Sequence, residues 1–210
     1  MKPYKTLCER AVSEYVEKKS RFIAAVSPVT TEDEARAFIA GVRKQHYDAR
    51  HNVWAYVLRD GAKRYSDDGE PQGTAGIPVL SVLEQNGLEN SVCVVTRYFG
   101  GILLGAGGLV RAYTHTASLG VAAGGIAEVL PCSVCTVTVA YPLYSIVQTL
   151  LRDFGAETDN AAFSESVTLT ARLLPESVEP FKAALADATG GKAAFALTGE
   201  GEITVRRDAE

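Results

Sequence analysis

The chain has 210 residues, 47% of them hydrophobic and 22% charged. That balance excludes a disordered chain, and no run approaches the ~20 apolar residues of a membrane-crossing helix. The formal net charge of −4 is unevenly spread, with a net +1 over residues 1–130 and −5 over residues 131–210, so the first part can still attract an anion locally.

In chain order, Arg21 to Val29 is expected to be a strand. Thr31 and Glu34 have capping-box spacing, and Ala35, Phe38, Ile39 and Val42 follow at helical intervals with Arg43, Lys44 and His46 in the last turn; acid at the start and base at the end suit the helix dipole. Asn52 to Arg59 reads as a β-rich strand and Ser91 to Arg97 as a buried one. Between them Pro78 opens a helix that stops at Asn86-Gly87. A longer helix is expected from Gly108 to Ala123. Gly124-Gly125 and then Val129-Leu130-Pro131 mark a boundary at Glu128 to Cys132. Beyond it come a strand (Val134 to Tyr141), a helix (Leu143 to Phe154) and two strands (Glu157 to Phe163, Ser166 to Leu173). A second helix (Pro175 to Thr189) and a last strand or hairpin (Ala193 to Arg206) complete the chain. Strand-helix-strand-strand-helix-strand is the split βαβ order of ferredoxin-like domains. The expected fold class is α+β in two domains, residues 1–130 and 131–210.

Two loops hold residues suited to chemistry. Ser66 to Gly76, SDDGEPQGTAG, gathers Asp67, Asp68, Glu70, Gln72 and Thr74 between a strand and a helix. Its carboxylates suit a cation, acid–base work or a basic partner, but they equally suit a polar turn whose side chains satisfy the backbone. The order of an EF-hand is missing. Arg97 to Gly108, RYFGGILLGAGG, presents backbone N–H groups at Gly100, Gly101 and Gly105 before a helix. Ala106 stands where a P-loop needs lysine, and Val110 where the dinucleotide fingerprint needs its third glycine. Arg97 can grip a phosphate or carboxylate, or pair with an Asp of the other loop. His51 and Asn52 are further polar candidates. Lys18, Lys19, Arg21, Arg43, Arg50, Lys63 and Arg64 form a candidate basic patch, which solvated mixed charge would also explain.

Cys132-Ser133-Val134-Cys135 has the spacing of half a zinc site, but no second pair follows, and Cys8, Cys93, His46, His51 and His115 are isolated. No metal and no cofactor is expected. The N-terminal segment lacks the apolar stretch of a signal peptide, and with four cysteines and no disulfide framework the chain is expected to be cytoplasmic.

Lys19-Ser20-Arg21-Phe22, His51-Asn52 with Ala55-Tyr56, the SDDGEPQGTAG loop and RYFGGILLGAGGLVRAY (Arg97 to Tyr113) together resemble the YigZ/IMPACT family, in order over residues 20–125. The second part resembles the ferredoxin-like C-terminal domain of bacterial YigZ-type members by element order. The resemblance implies an N-terminal two-layer α/β sandwich similar to domain IV of elongation factor G. It also implies a link to translation control, with RNA or ribosome binding inferred for bacterial members. The expected function is therefore a non-enzymatic, translation-associated regulator that binds RNA or the ribosome through its first domain and contacts no membrane. The second domain is free to take a protein partner. The alternative is a small-molecule hydrolase or transferase acting on a phosphorylated or acidic substrate at the two loops.

Overall fold

The computed structural model describes residues 2–206; Met1 and residues 207–210, the outer ends of the two expected domains, lie outside the described residues. Contacts divide the chain into two units, and the division falls between Glu128 and Val129.

In the first unit the strands are β1 (Tyr4–Leu7), β2 (Ala11–Glu17), β3 (Ser20–Pro28), β4 (His51–Val57), β5 (Lys63–Ser66) and β6 (Ser91–Tyr98). The helices are α1 (Glu32–Gln45), α2 (Gly76–Gln85) and α3 (Gly105–Gly124). The main sheet runs β2-β3-β6-β4-β5, and each paired edge is antiparallel. β6 is its centre because SVCVVTR is apolar on both faces: Cys93 and Val95 meet α2 and α3 with Phe22, Ala24, Val53 and Ala55, whereas Val92 and Val94 meet Ala35, Ile39 and Val42 of α1. Helices cover both faces, so α1 adds a layer to the two expected. Thr31 caps α1 by accepting from the Glu34 N–H at 3.2 Å. The return half of the box is displaced by one residue: Glu34 Oε2 accepts from the Thr30 N–H at 2.6 Å and its hydroxyl at 2.9 Å.

α2 starts two residues before Pro78, and α3 three residues before Gly108. Pro131 does not break the chain. It lies inside β7 (Ile126–Val139), a strand that continues through the division.

The second unit follows the expected order. Val137, Leu151, Leu169 and Phe181 are core residues shared by β7, α4 (Tyr144–Asp153), β9 (Val167–Leu173) and α5 (Val178–Thr189). β8 (Glu157–Phe163) pairs with β9, β9 with β7, and β10 (Ala194–Arg206) with β7. A short 3₁₀ turn at Tyr141–Leu143 leads into α4, and one at Pro175–Ser177 into α5; proline suits such starts because its missing N–H is not needed there.

Candidate functional site

The register of the first sheet assembles the site. Arg97 at the end of β6 is paired with Phe22 of β3 on one side and His51 of β4 on the other, which sets all three on one face. Only 5% of Arg97 and 8% of Glu70 is exposed. Arg97 Nη1 donates to Glu70 Oε1 at 2.6 Å, and the guanidinium lies 5.4 Å from the Phe22 ring centroid and 5.6 Å from that of Phe99. Tyr113 of α3 donates its hydroxyl to the same Glu70 oxygen at 2.8 Å. Burial, reinforced by the Glu70 charge, pushes the Tyr113 phenol far up. His51 Nδ1 is 2.7 Å from the Asp68 carbonyl oxygen. A carbonyl only accepts, so Nδ1 carries the proton, and in the neutral ring Nε2 keeps its lone pair. That Nε2 lies 3.9 Å from Glu70 Oε2.

The carboxylates of the first loop therefore have separate tasks. Arg97 pairs with Glu70 rather than with an Asp. Asp67 accepts from the N–H groups of Gly73 (2.9 Å), Ala75 (3.1 Å) and Gly76 (2.8 Å), closing the start of α2. Asp68 has φ 44° and takes the Asn52 N–H at 2.6 Å and Arg43 Nη2 at 2.5 Å. Asn52 is buried and accepts from Thr96 Oγ1 at 2.7 Å, and Thr74 donates to the Pro71 carbonyl at 2.6 Å. Gln72 is exposed. Among the described residues no group of three or more His, Cys, Asp or Glu side chains is placed to hold a metal ion.

The second loop, Phe99 to Leu104, is satisfied far less from within. Gly100 has a specific reason to be glycine: a Cβ there would lie 2.0 Å from the Lys19 carbonyl carbon and 2.3 Å from its oxygen. Lys18 and Lys19 form the two-residue turn between β2 and β3, with φ values of 46° and 66°, the positive pair that a type I′ turn requires. The Gly100 N–H donates to Ser20 Oγ at 3.1 Å and fastens the loop to that turn. α3 then begins with no side-chain cap and no acid in its first turn. Phe99, Ile102 and Leu103 stay exposed, Leu103 by 83%. Phe99, Leu103, Leu104, Leu109 and Pro71 wall a cavity of about 380 Å³. His51, Glu70 and Arg97 also line it, as do Arg50 and the first residues of α3, Gly105 and Ala106. The apolar wall is absent from the sequence-level site. Its signal is Ile102-Leu103-Leu104, an apolar triplet inside a glycine-rich loop.

The seven basic residues do not share one face. Lys18 lines a second cavity, of about 330 Å³, with Arg111 and His115 of α3; Leu104 lines this cavity and the first alike. Arg111 was not among the expected basic residues, being single within a helix. Lys18, Lys19, Arg50 and Arg111 are all exposed. Arg43 and Arg64 instead line a groove of about 410 Å³ with Arg36, Trp54 and Tyr56 beside α1. Arg21 is held by both oxygens of Glu14 at 2.8 Å, Arg43 by Asp68, and Lys63 by Glu84 at 2.7 Å.

The cysteines are free and Cys93, Cys132 and Cys135 are buried. Burial pushes the Cys93 thiol up to about 12 and raises those of Cys132 and Cys135, which keeps them protonated at neutral pH.

The profile of the Impact N-terminal domain matches residues 18–121, and that of a domain of unknown function, DUF1949, matches residues 137–192. The chain is 38% identical over 203 residues to the IMPACT family member YvyE of Bacillus subtilis, covering 96% of this chain and 92% of the relative. It is 36% identical over 187 residues to the IMPACT family member YigZ of Escherichia coli, covering 83% of this chain and 87% of the relative. Protein IMPACT of Rattus norvegicus is 32% identical over 94 residues, 42% of this chain and 30% of that protein. A solved structure, described as the crystal structure of an hypothetical protein, is similar with a TM-score of 0.60 and 32% identity, covering 94% of this chain and 98% of that chain.

Proposed function

This chain belongs to the IMPACT family, and from that premise we propose that it is a non-enzymatic, translation-associated regulator whose N-terminal domain binds RNA or the ribosome. One observation carries the reading. The exposed cations Lys18, Arg50 and Arg111 line the two cavities that flank the start of α3, a helix of 20 residues that begins without a side-chain cap, and exposed Lys19 shares the turn with Lys18. Helix N–H groups and flexible cations are two of the means by which proteins hold phosphates without reading sequence. The pairing of Arg21, Arg43 and Lys63 with carboxylates makes these three weaker contributors than the Lys18–Lys19 turn. Arg64, in the groove beside α1, is a separate phosphate contact. The second domain, with Phe163 and Leu197 exposed, is the surface for a protein partner. No helix among the described residues is long and apolar enough to cross a membrane.

The test is a salt titration of binding to single-stranded RNA. Each phosphate contact contributes a log–log slope of about −0.7. Lys19→Ala and Arg64→Ala are expected to reduce the slope and weaken binding to different sequences alike, and Asp68→Ala to leave the charge attraction intact. Binding that is absent at low salt, or indifferent to salt, overturns the reading.

A further inference from the structure

The cavity beside Arg97 has more structure than phosphate contact alone requires. Its wall of Phe99, Leu103, Leu104 and Leu109 is apolar, and its volume of about 380 Å³ falls in the ~300–1,000 Å³ range of small-molecule pockets. The Phe99 ring has Arg97 on one side and is 49% exposed. The polar floor is specific in kind. Glu70 Oε1 receives both Arg97 and Tyr113, whereas Oε2 faces His51 Nε2 at 3.9 Å, too far for a hydrogen bond. In the neutral His51 ring, whose proton is committed to the Asp68 carbonyl, Nε2 is an acceptor, and the floor then presents two acceptors side by side. Arg97, nine-tenths buried and lining the same cavity, has an Nε with no hydrogen-bond partner. At the rim are Arg50 and the N–H groups of Gly105 and Ala106 at the start of α3.

We propose that this cavity binds one unstacked nucleotide. The base lies against Phe99 and Leu103 with an exocyclic amine donating to Glu70 Oε2 and His51 Nε2, while the phosphate sits on the start of α3 and Arg50. Two acceptors select a donor edge, so bases that carry an amine are preferred over uracil. Aromatic stacking is how single-stranded RNA is held, and the same chemistry is offered by a free nucleoside monophosphate. The proposal deepens the RNA-binding reading and rests on it for the biological source of the ligand.

The experiment is calorimetric titration of the full-length protein with AMP, CMP, GMP, UMP and inorganic phosphate, alongside short RNA oligomers. The expected result is that at least one amine-bearing monophosphate binds about tenfold or more tightly than UMP and inorganic phosphate. Phe99→Ala and Leu103→Asp, both at exposed positions that leave the fold intact by thermal melting, are each expected to weaken that binding about tenfold. His51→Gln tests the floor, since its amide puts a donor beside the Oε2 acceptor and should erase the preference over UMP. UMP binding equal to that of the amine-bearing nucleotides overturns the proposal, as does inorganic phosphate binding as well as any nucleotide. Indifference to Phe99→Ala and Leu103→Asp overturns it too. The two readings fail separately. RNA binding lost in Lys19→Ala but unchanged in Phe99→Ala removes the pocket and leaves the RNA reading. Nucleotides that bind in the pocket while oligomers bind nowhere remove the RNA reading and leave the pocket.

Discussion

The first unit contains two loop-to-helix transitions of opposite character. At α2 the chain supplies its own anion, because Asp67 takes the N–H groups of Gly73, Ala75 and Gly76. At α3 no such side-chain acceptor is found among the described residues, and the approach is lined by exposed apolar residues and by Arg50. A carboxylate near a helix N-terminus is worth roughly 0.3–1 kcal/mol to the fold. The α3 start forgoes that gain, and a helix end free of its own acid is one that an outside phosphate can use. Within the acid-rich loop the tasks are split: Asp67 closes the start of α2, whereas Glu70 faces the cavity with Arg97.

Breaking the floor shared by the two loops should have the largest effect. Glu70→Ala leaves Arg97 buried without its partner, and is expected to cost about 3–5 kcal/mol in denaturant unfolding; a loss below 1 kcal/mol would show that the pair is not buried in solution. Two buried acids of the first unit, one in the core and one at this floor, lower stability at alkaline pH. Cys93 has its thiol pushed up to about 12, and Tyr113 is raised in the same direction. A raised acid is fully stabilising below its unfolded value and loses that contribution as pH climbs toward the folded one. From about pH 9 upward for Cys93, and from about pH 10 for Tyr113, each group should therefore remove up to ~1.4 kcal/mol per pH unit. Thermal melts at pH 8 and 10.5 should differ clearly, and Cys93→Ala should shrink the difference.

Gly100→Ala is expected to cost about 1–3 kcal/mol through its clash with the Lys19 backbone, and to disturb the open loop more than any change at Gln72 disturbs the closed one. Asp67→Ala removes the acceptor at α2 and should cost about 1–2 kcal/mol in thermal melts. Ala106→Glu makes the α3 start resemble that of α2. It should stabilise by a few tenths of a kcal/mol up to ~1 while weakening any phosphate-bearing ligand. A variant that binds phosphate ligands as well as the parent would show that the two helix starts do not differ in the way described.

Much of the frame was legible because local rules and tertiary packing agree. Thr31 with its acidic first turn marks α1, β8 falls on Glu157–Phe163, and the second unit keeps its expected order. β2 was missed because AVSEYVE spreads its alternation over Ala, Ser and Glu, and β5 because KRYS is a polar edge. Pro131 lies inside β7 rather than ahead of a strand, because a proline can sit in a strand where its missing N–H is not needed for pairing. In the site, Arg97 and both glycine positions of its loop were legible from residue type, but its partner was not. Which of Asp67, Asp68 and Glu70 reaches Arg97 depends on positive φ angles at Asp68 and Gly69, which turn neighbouring side chains in different directions. The apolar wall was hidden for another reason: leucine in a loop signals a core residue as readily as a binding surface.

The close approach of Gly100 to Lys19 has a mechanical consequence. The backbones meet at a spacing that leaves no room for a methyl group, and the Gly100 amide is tied to Ser20. Opening of the hairpin tip is therefore expected to carry the loop that bears Phe99 with it. In hydrogen-exchange terms the Gly100 amide should report the same opening event as the tip of the hairpin. A polyanion drawn to Lys18 and Lys19 would thus slow the breathing of the aromatic wall without touching it, so that contact at one end steadies the other.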